Sequence, residues 1–178
     1  MVSIRSSLIV LLVTLSASST AFAQAVAEGK NELSTDLLFI TSQPTGDAAG
    51  DRTTRTSWRL SYGRFITDRI AVGPLFRVVK DPGGSTTGYI GGLGRYYFGD
   101  LHRRWIPTVE ISSARSMNDP AGNYTDVQFL GGITVPMGST GGRFRVGPYY
   151  YRAFYDEAET GYSNFSSFGV SWSVALLF

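Results

Sequence analysis

The sequence predicts an all-β protein, an eight-stranded antiparallel transmembrane β-barrel, and three observations carry that expectation. Apolar residues recur at every second position over segments of roughly ten residues, as they do in strands with one apolar face. The opposite face of these segments is built from Ser, Gly, Ala and isolated charges rather than the Lys, Glu and Thr of a watered surface, which suits a narrow polar lumen behind a lipid-facing wall. Turn-forming clusters rich in Gly, Pro and Asp separate the segments. The last segment, residues 165–178, is the clearest. Phe168, Val170, Trp172, Val174, Leu176 and Phe178 share one side, Ser167, Gly169, Ser171, Ser173 and Ala175 share the other, and only Leu177 breaks the pattern.

Residues 31–42 form the first candidate strand, with Leu33, Thr35, Leu37 and Phe39 in phase and Ser34 and Asp36 opposite. After a loop at 43–53 containing Pro44, Gly46 and Gly50, residues 54–66 set Trp58, Leu60 and Tyr62 against Arg59, Ser61 and Gly63. Thr67-Asp68 predicts a tight turn. Residues 69–80 then group Ile70, Val72, Pro74, Phe76 and Val78, opposed by Ala71, Gly73 and Arg77. Beyond a short loop with Pro82, Gly83 and Gly84, residues 88–99 place Ile90, Tyr96 and Phe98 against Tyr89, Arg95 and Tyr97. Residues 105–115 send Trp105, Pro107, Val109 and Ile111 outward, and Thr108, Glu110 and Ser112 inward. Residues 124–135 oppose Val127, Phe129, Ile133 and Val135 to Asp126, Gln128 and Gly132, and a turn is expected over 136–142. Residues 143–155 face Phe144, Val146, Pro148 and Tyr150 outward, and an acidic loop at 156–163 leads to the last strand. Pro74, Pro107 and Pro148 fall inside candidate strands, where they cannot donate to a ladder without a free edge. Bulges are therefore expected at all three.

An even strand count brings both ends of the barrel to one side of the membrane, and export makes that side periplasmic. Turns near Thr67, Asp100 and Pro136 are then periplasmic, and segments near Thr45, Gly83, Asp119 and Glu157 face outward. Residues 1–23 read as a cleavable secretory signal, with Arg5 as its positive end, an apolar run from Leu8 to Leu15, and a small-residue stretch closing on Ala21-Phe22-Ala23. Residues 24–178 form the barrel domain. The apolar run is well short of the roughly 20 residues that a membrane-spanning helix needs. With no cysteine there is neither a lipid-anchor site nor a disulfide framework. A formal net charge of +2, with both signs interspersed, gives a nucleic-acid partner no support.

The whole mature chain resembles the small eight-stranded outer-membrane barrels of Gram-negative cell envelopes, the OmpA/OmpX-like group. The likeness rests on the aromatic-terminated last strand, on Tyr62-Gly63-Arg64-Phe65-Ile66-Thr67-Asp68-Arg69-Ile70-Ala71-Val72-Gly73, and on Gly94-Arg95-Tyr96-Tyr97-Phe98. The resemblance implies a monomer in the outer membrane, in contact with its lipid and lipopolysaccharide. It also implies insertion by the barrel-insertion machinery, for which Phe178 is the signal. These motifs are architectural and shared by members with different roles.

With the apolar phase outward, the inward charges are Asp36, Arg59, Arg77, Arg95, Glu110 and Asp126, with Arg143 and Arg145 as further candidates. In a barrel only wide enough to be filled by its side chains, such charges must be paired. A polar plug is expected, and the resemblance implies that exchange among these pairs gates a narrow path. Trp58, Trp105, Tyr150, Phe168 and Trp172 are candidates for an aromatic girdle. His102, the one histidine, lies in a turn. Relatives that edit lipid A carry a catalytic His and Ser near the outer rim, and the sequence has no His-x-Ser pattern. No metal or cofactor is expected, since no Cys, Asp or Glu group has ligand spacing. Asp156, Glu157 and Glu159 make the last outer loop acidic, while Arg64, Arg69, Arg103, Arg104, Arg143 and Arg145 crowd the periplasmic end as expected headgroup anchors. The function expected is non-enzymatic, structural or surface-interacting, with an extracellular partner reached through the outer loops. A passive porin-like conduit for small or apolar solutes is the main alternative and a lipid A-modifying enzyme a remoter one.

Overall fold

The computed structural model describes residues 29–42, 53–80, 83–99, 101, 103–117, 124–138, 141–154 and 165–178. Eight strands run β1 Asn31–Ser42, β2 Thr53–Phe65, β3 Ile70–Lys80, β4 Thr86–Tyr97, β5 Ile106–Met117, β6 Thr125–Met137, β7 Gly142–Phe154 and β8 Phe165–Leu177. Each pairs antiparallel with its sequence neighbours, and β1 pairs with β8, so the sheet closes into a barrel without an edge. The start of β1 and the residue after β8 are joined in that seam. Asn31 N donates to Phe178 O at 2.7 Å, and Phe178 N donates to Asn31 O at 2.8 Å.

Period-two alternation sorts the side chains to the two sides of the wall. In β5, Ile106, Thr108, Glu110, Ser112, Ala114 and Ser116 are buried, and the residues between them are exposed. Outside, the exposed set is apolar: Phe168 is 71% exposed, Val170 58% and Ile90 58%. Inside, Ser, Thr, Arg, Asp and Glu are buried with a minority of apolar residues. This is the reverse of a water-soluble barrel and the arrangement that a lipid-facing wall requires. Leu177, out of phase in the sequence, packs with Leu101 against Phe65, Ala71, Tyr97 and Ile106, an apolar layer at the terminal end of the lumen.

The bulges expected at the prolines are absent. Ser61 faces Leu75 and Arg64 faces Val72, a step of three residues on each strand, so no extra residue is inserted beside Pro74. The β2–β3 ladder lapses between those rungs, while Pro74 keeps its rung with Gly92 of β4. Pro148 repeats the solution. The β6–β7 ladder lapses between the Leu130–Tyr149 and Ile133–Val146 rungs, and the rung to Val170 of β8 is kept. Glycine makes the lapses possible by letting backbones close in. A Cβ on Gly73 would collide with the Tyr62 carbonyl, one on Gly132 would lie 2.5 Å from the Val146 carbonyl, and one on Gly147 would meet that of Gly131. Pro107 sits near the start of β5, where the ladder to β4 ends and Phe98 N donates to Pro107 O at 2.8 Å.

A second correction concerns the turn expected over 136–142. β6 continues through Pro136, in register with Arg143, to Met137. Gly138, just after β6, and Gly141, just before β7, have φ of 65° and 75°, a conformation that only glycine takes without a Cβ penalty. The turn after β2 is as expected, with Thr67 Oγ1 accepting from Arg69 N at 3.2 Å and Ile70 N at 3.0 Å. Residues 1–23, His102 and the segments 43–52, 118–123 and 155–164, which cover three of the loops expected to face outward, lie outside the described residues.

Candidate functional site

The candidate site is the lumen. Above the apolar layer at the terminal end lies a network of buried charges linking β1, β2, β4, β5 and β7. Glu110 is its hub, with Oε1 accepting from Arg59 Nη1 at 2.5 Å and Oε2 accepting from Arg95 Nε at 2.8 Å and Nη2 at 2.5 Å. Arg59 Nε donates to Asp36 Oδ2 at 2.7 Å. Arg95 also donates to Glu32, as do Tyr97 through its hydroxyl and Arg145 at 3.2 Å. Arg145 reaches Glu110 Oε2 at 3.9 Å and donates to Thr134 Oγ1 at 3.2 Å.

Some of these contacts follow from sheet register and others cross the lumen. Asp36 and Arg59 are direct cross-strand partners, as are Arg95 and Glu110. Arg59–Glu110, Arg95–Glu32 and Arg145–Glu32 join strands that are not neighbours, so the network ties opposite walls together. Towards the other end the filling turns apolar and aromatic, with Leu38, Leu75, Val79, Leu93 and Leu130 around Tyr89, Tyr124, Tyr149 and Tyr151. One ion pair, Arg77–Asp126, sits among them. The Arg77 guanidinium lies 4.1 Å from the Tyr89 ring centroid, and the Tyr89 and Tyr124 hydroxyls are hydrogen-bonded.

Asp36, Arg59, Arg77, Arg95, Glu110 and Asp126 all point into the lumen, in two groups rather than one. Arg143 and Arg145 also face inward and are buried, so they do not serve as headgroup anchors; Arg64, Arg69, Arg103 and Arg104 are exposed. Glu32 is a member of the network that sequence reasoning passed over. It shares the parity of Ser34 and Asp36, and that was the available signal. The inward tyrosines carried the same signal, each in phase with a charge on its own strand. In chemical terms Glu32 and Glu110 are acceptors for several donors at once.

On the outside, Trp105 and Phe178 are exposed at the terminal end, near the edge-on pair Tyr96–Phe98, whose centroids are 4.7 Å apart. Tyr150 stacks obliquely on Phe168 at 4.9 Å and neighbours Phe129 at 6.4 Å, towards the other end. Trp58 and Trp172 both face Leu37 in register, near the middle of their strands, and Trp58 Nε1 donates to Thr35 Oγ1 at 2.8 Å.

Two solved structures share this architecture. The N-terminal β-barrel domain of OprF from Pseudomonas aeruginosa aligns over 87% of this chain and 100% of that one, at 14% identity and a TM-score of 0.59. Neisserial surface protein A (NspA) aligns over 85% of this chain and 98% of that one, at 16% identity and a TM-score of 0.62. At these identities the likeness is one of fold, that of the small eight-stranded outer-membrane barrels. No protein-family model and no curated protein sequence matches the chain.

Proposed function

We propose that the protein is an integral outer-membrane barrel without catalytic activity, whose closed lumen makes it an anchor for the segments carried at the end away from its termini. The single observation behind this reading is the inversion of the barrel. Leu33, Leu60, Phe76, Ile111, Phe129 and Val170 are exposed around the wall, while charges that water would otherwise solvate are buried and ion-paired inside. An apolar belt of this extent needs lipid, and a lumen bridged from wall to wall leaves a solute no continuous path. Contact with lipopolysaccharide, a surface partner for the outer segments and a monomeric state belong to the same proposal.

A second reading, a gated conduit, is favoured by one feature. Glu110 lies within ion-pair distance of three arginines, Arg59, Arg95 and Arg145, so exchange of partners needs only side-chain rotation. Flux of ions and small solutes through the folded protein in liposomes separates the two. An anchor gives wild-type flux at the protein-free level. A gate gives measurable flux that Glu110→Ala and Arg95→Ala both alter.

A further inference from the structure

Five buried arginines, Arg59, Arg77, Arg95, Arg143 and Arg145, stand inside the barrel with four buried carboxylates, Glu32, Asp36, Glu110 and Asp126. Arg59, Arg77, Arg95 and Arg145 each have a carboxylate oxygen within ion-pair distance. Arg143 is the odd one. It is 5% exposed, its Nε and Nη1 find no acceptor, and among the described residues it makes no ion pair. Its guanidinium lies 5.9 Å from the Tyr97 ring centroid, and that of Arg145 lies 5.8 Å from the same ring. Two further groups on that wall are also unused. Arg145 Nη1 has no hydrogen bond, and neither has Oγ of Ser173, the cross-strand partner of Arg145.

A buried guanidinium whose nitrogens lack acceptors is heavily disfavoured, and here Arg143 Nε and Nη1, Arg145 Nη1 and Ser173 Oγ are left unfilled on one stretch of β7 and β8. We propose that Arg143, Arg145 and Ser173 hold a small monovalent inorganic anion of the chloride class. The charge follows from the buried charges among the described residues: one negative charge balances their five arginines against four carboxylates. The size is set by the lumen, which in a barrel of eight strands has room for side chains and little else. Arg143 is the second residue of β7, so the site lies next to the terminal end of the lumen, beside the apolar layer that contains Tyr97. The site depends on the lumen's charges alone and holds whether the barrel anchors or conducts.

The test uses the full-length folded protein in zwitterionic detergent. Chloride-35 resonance should broaden in the presence of wild-type protein and sharpen again when bromide competes. The broadening should vanish in Arg143→Met and persist in Arg152→Met, which removes an exposed exterior arginine. Thermal unfolding is compared in sodium chloride and sodium gluconate at equal ionic strength. Chloride at ten times its dissociation constant should shift the wild-type folding equilibrium by about tenfold. Arg143→Met should not distinguish the two salts. If that variant does not fold, the wild-type arms decide alone. Absence of bromide-sensitive broadening together with equal stability in the two salts overturns the site and leaves Arg143 hydrated. Broadening that survives in Arg143→Met but is lost in Arg152→Met overturns it as well.

Discussion

Glu110 shows what a single residue does in this lumen. It compensates Arg59 and Arg95 at once, and both guanidiniums are enclosed, so truncation leaves Asp36 and Glu32 as their remaining partners and takes the carboxylate acceptor from Arg59 Nη1 and from Arg95 Nε and Nη2. Glu110→Ala is expected to destabilise the barrel by roughly 3–5 kcal/mol, the range for breaking a buried pair, as read from urea unfolding of the protein in lipid vesicles. A loss below about 0.5 kcal/mol would mean that water already solvates the layer. Gly169 makes a different residue-scale case. A Cβ there would lie 2.5–2.7 Å from the ring and hydroxyl of Tyr149, which lies over it from the next strand. Gly169→Ala should cost about 1–3 kcal/mol by displacing that ring, and adding Tyr149→Ala should relieve most of the strain. Parity alone made most inward residues legible, because an alternating strand offers each side chain two directions and lipid forbids charge in one of them. Which arginine meets which carboxylate was not legible. The trans-lumen pairs depend on the stagger of strands far apart in sequence, and Glu32, at the start of β1, had too short a run beside it to stand out.

Among the elements, β3 and β7 share one device for carrying proline inside a closed sheet. Both contain Gly-Pro, both drop rungs on the side where proline cannot donate, and both keep the rung on the other side. The sequence placed these prolines in strands but pointed to bulges, because it gives no measure of how closely two backbones approach. Glycine is therefore the critical member of each Gly-Pro step. Gly73→Ala and Gly147→Ala should each destabilise more than Pro74→Ala and Pro148→Ala, by about 1–3 kcal/mol, since the added methyl meets a neighbouring carbonyl whereas losing proline only restores a donor. The shift of the folded band in unheated gel electrophoresis reports the order, and proline variants that prove the weaker would show that the rigid ring, not the close approach, sets the wall there.

At the scale of the whole molecule, closure of β1 on β8 settles where the ends lie. Asn31 and Phe178 are hydrogen-bonded, so the turns after β2, β4 and β6 share their end of the barrel, and the hairpin between β3 and β4 lies at the opposite end. Which end meets the cell exterior follows from the export expected of residues 1–23. A chain delivered to the outer membrane from the periplasm leaves its termini behind, and its alternate hairpins cross. The sequence contains no cysteine, so each engineered thiol is the only one present. Gly83 is exposed in the β3–β4 hairpin with no atom within 4 Å of its added Cβ, and Arg104 is exposed at the terminal end. Gly83→Cys should react with a membrane-impermeant maleimide on intact cells, and Arg104→Cys only after the outer membrane is opened. The reverse pattern would invert the barrel and transfer any surface role to its short turns. Labelling of both in intact cells, with release of the protein by washing without detergent, would mean that the apolar belt is covered by something other than lipid, and the membrane anchor proposed here would fall with it.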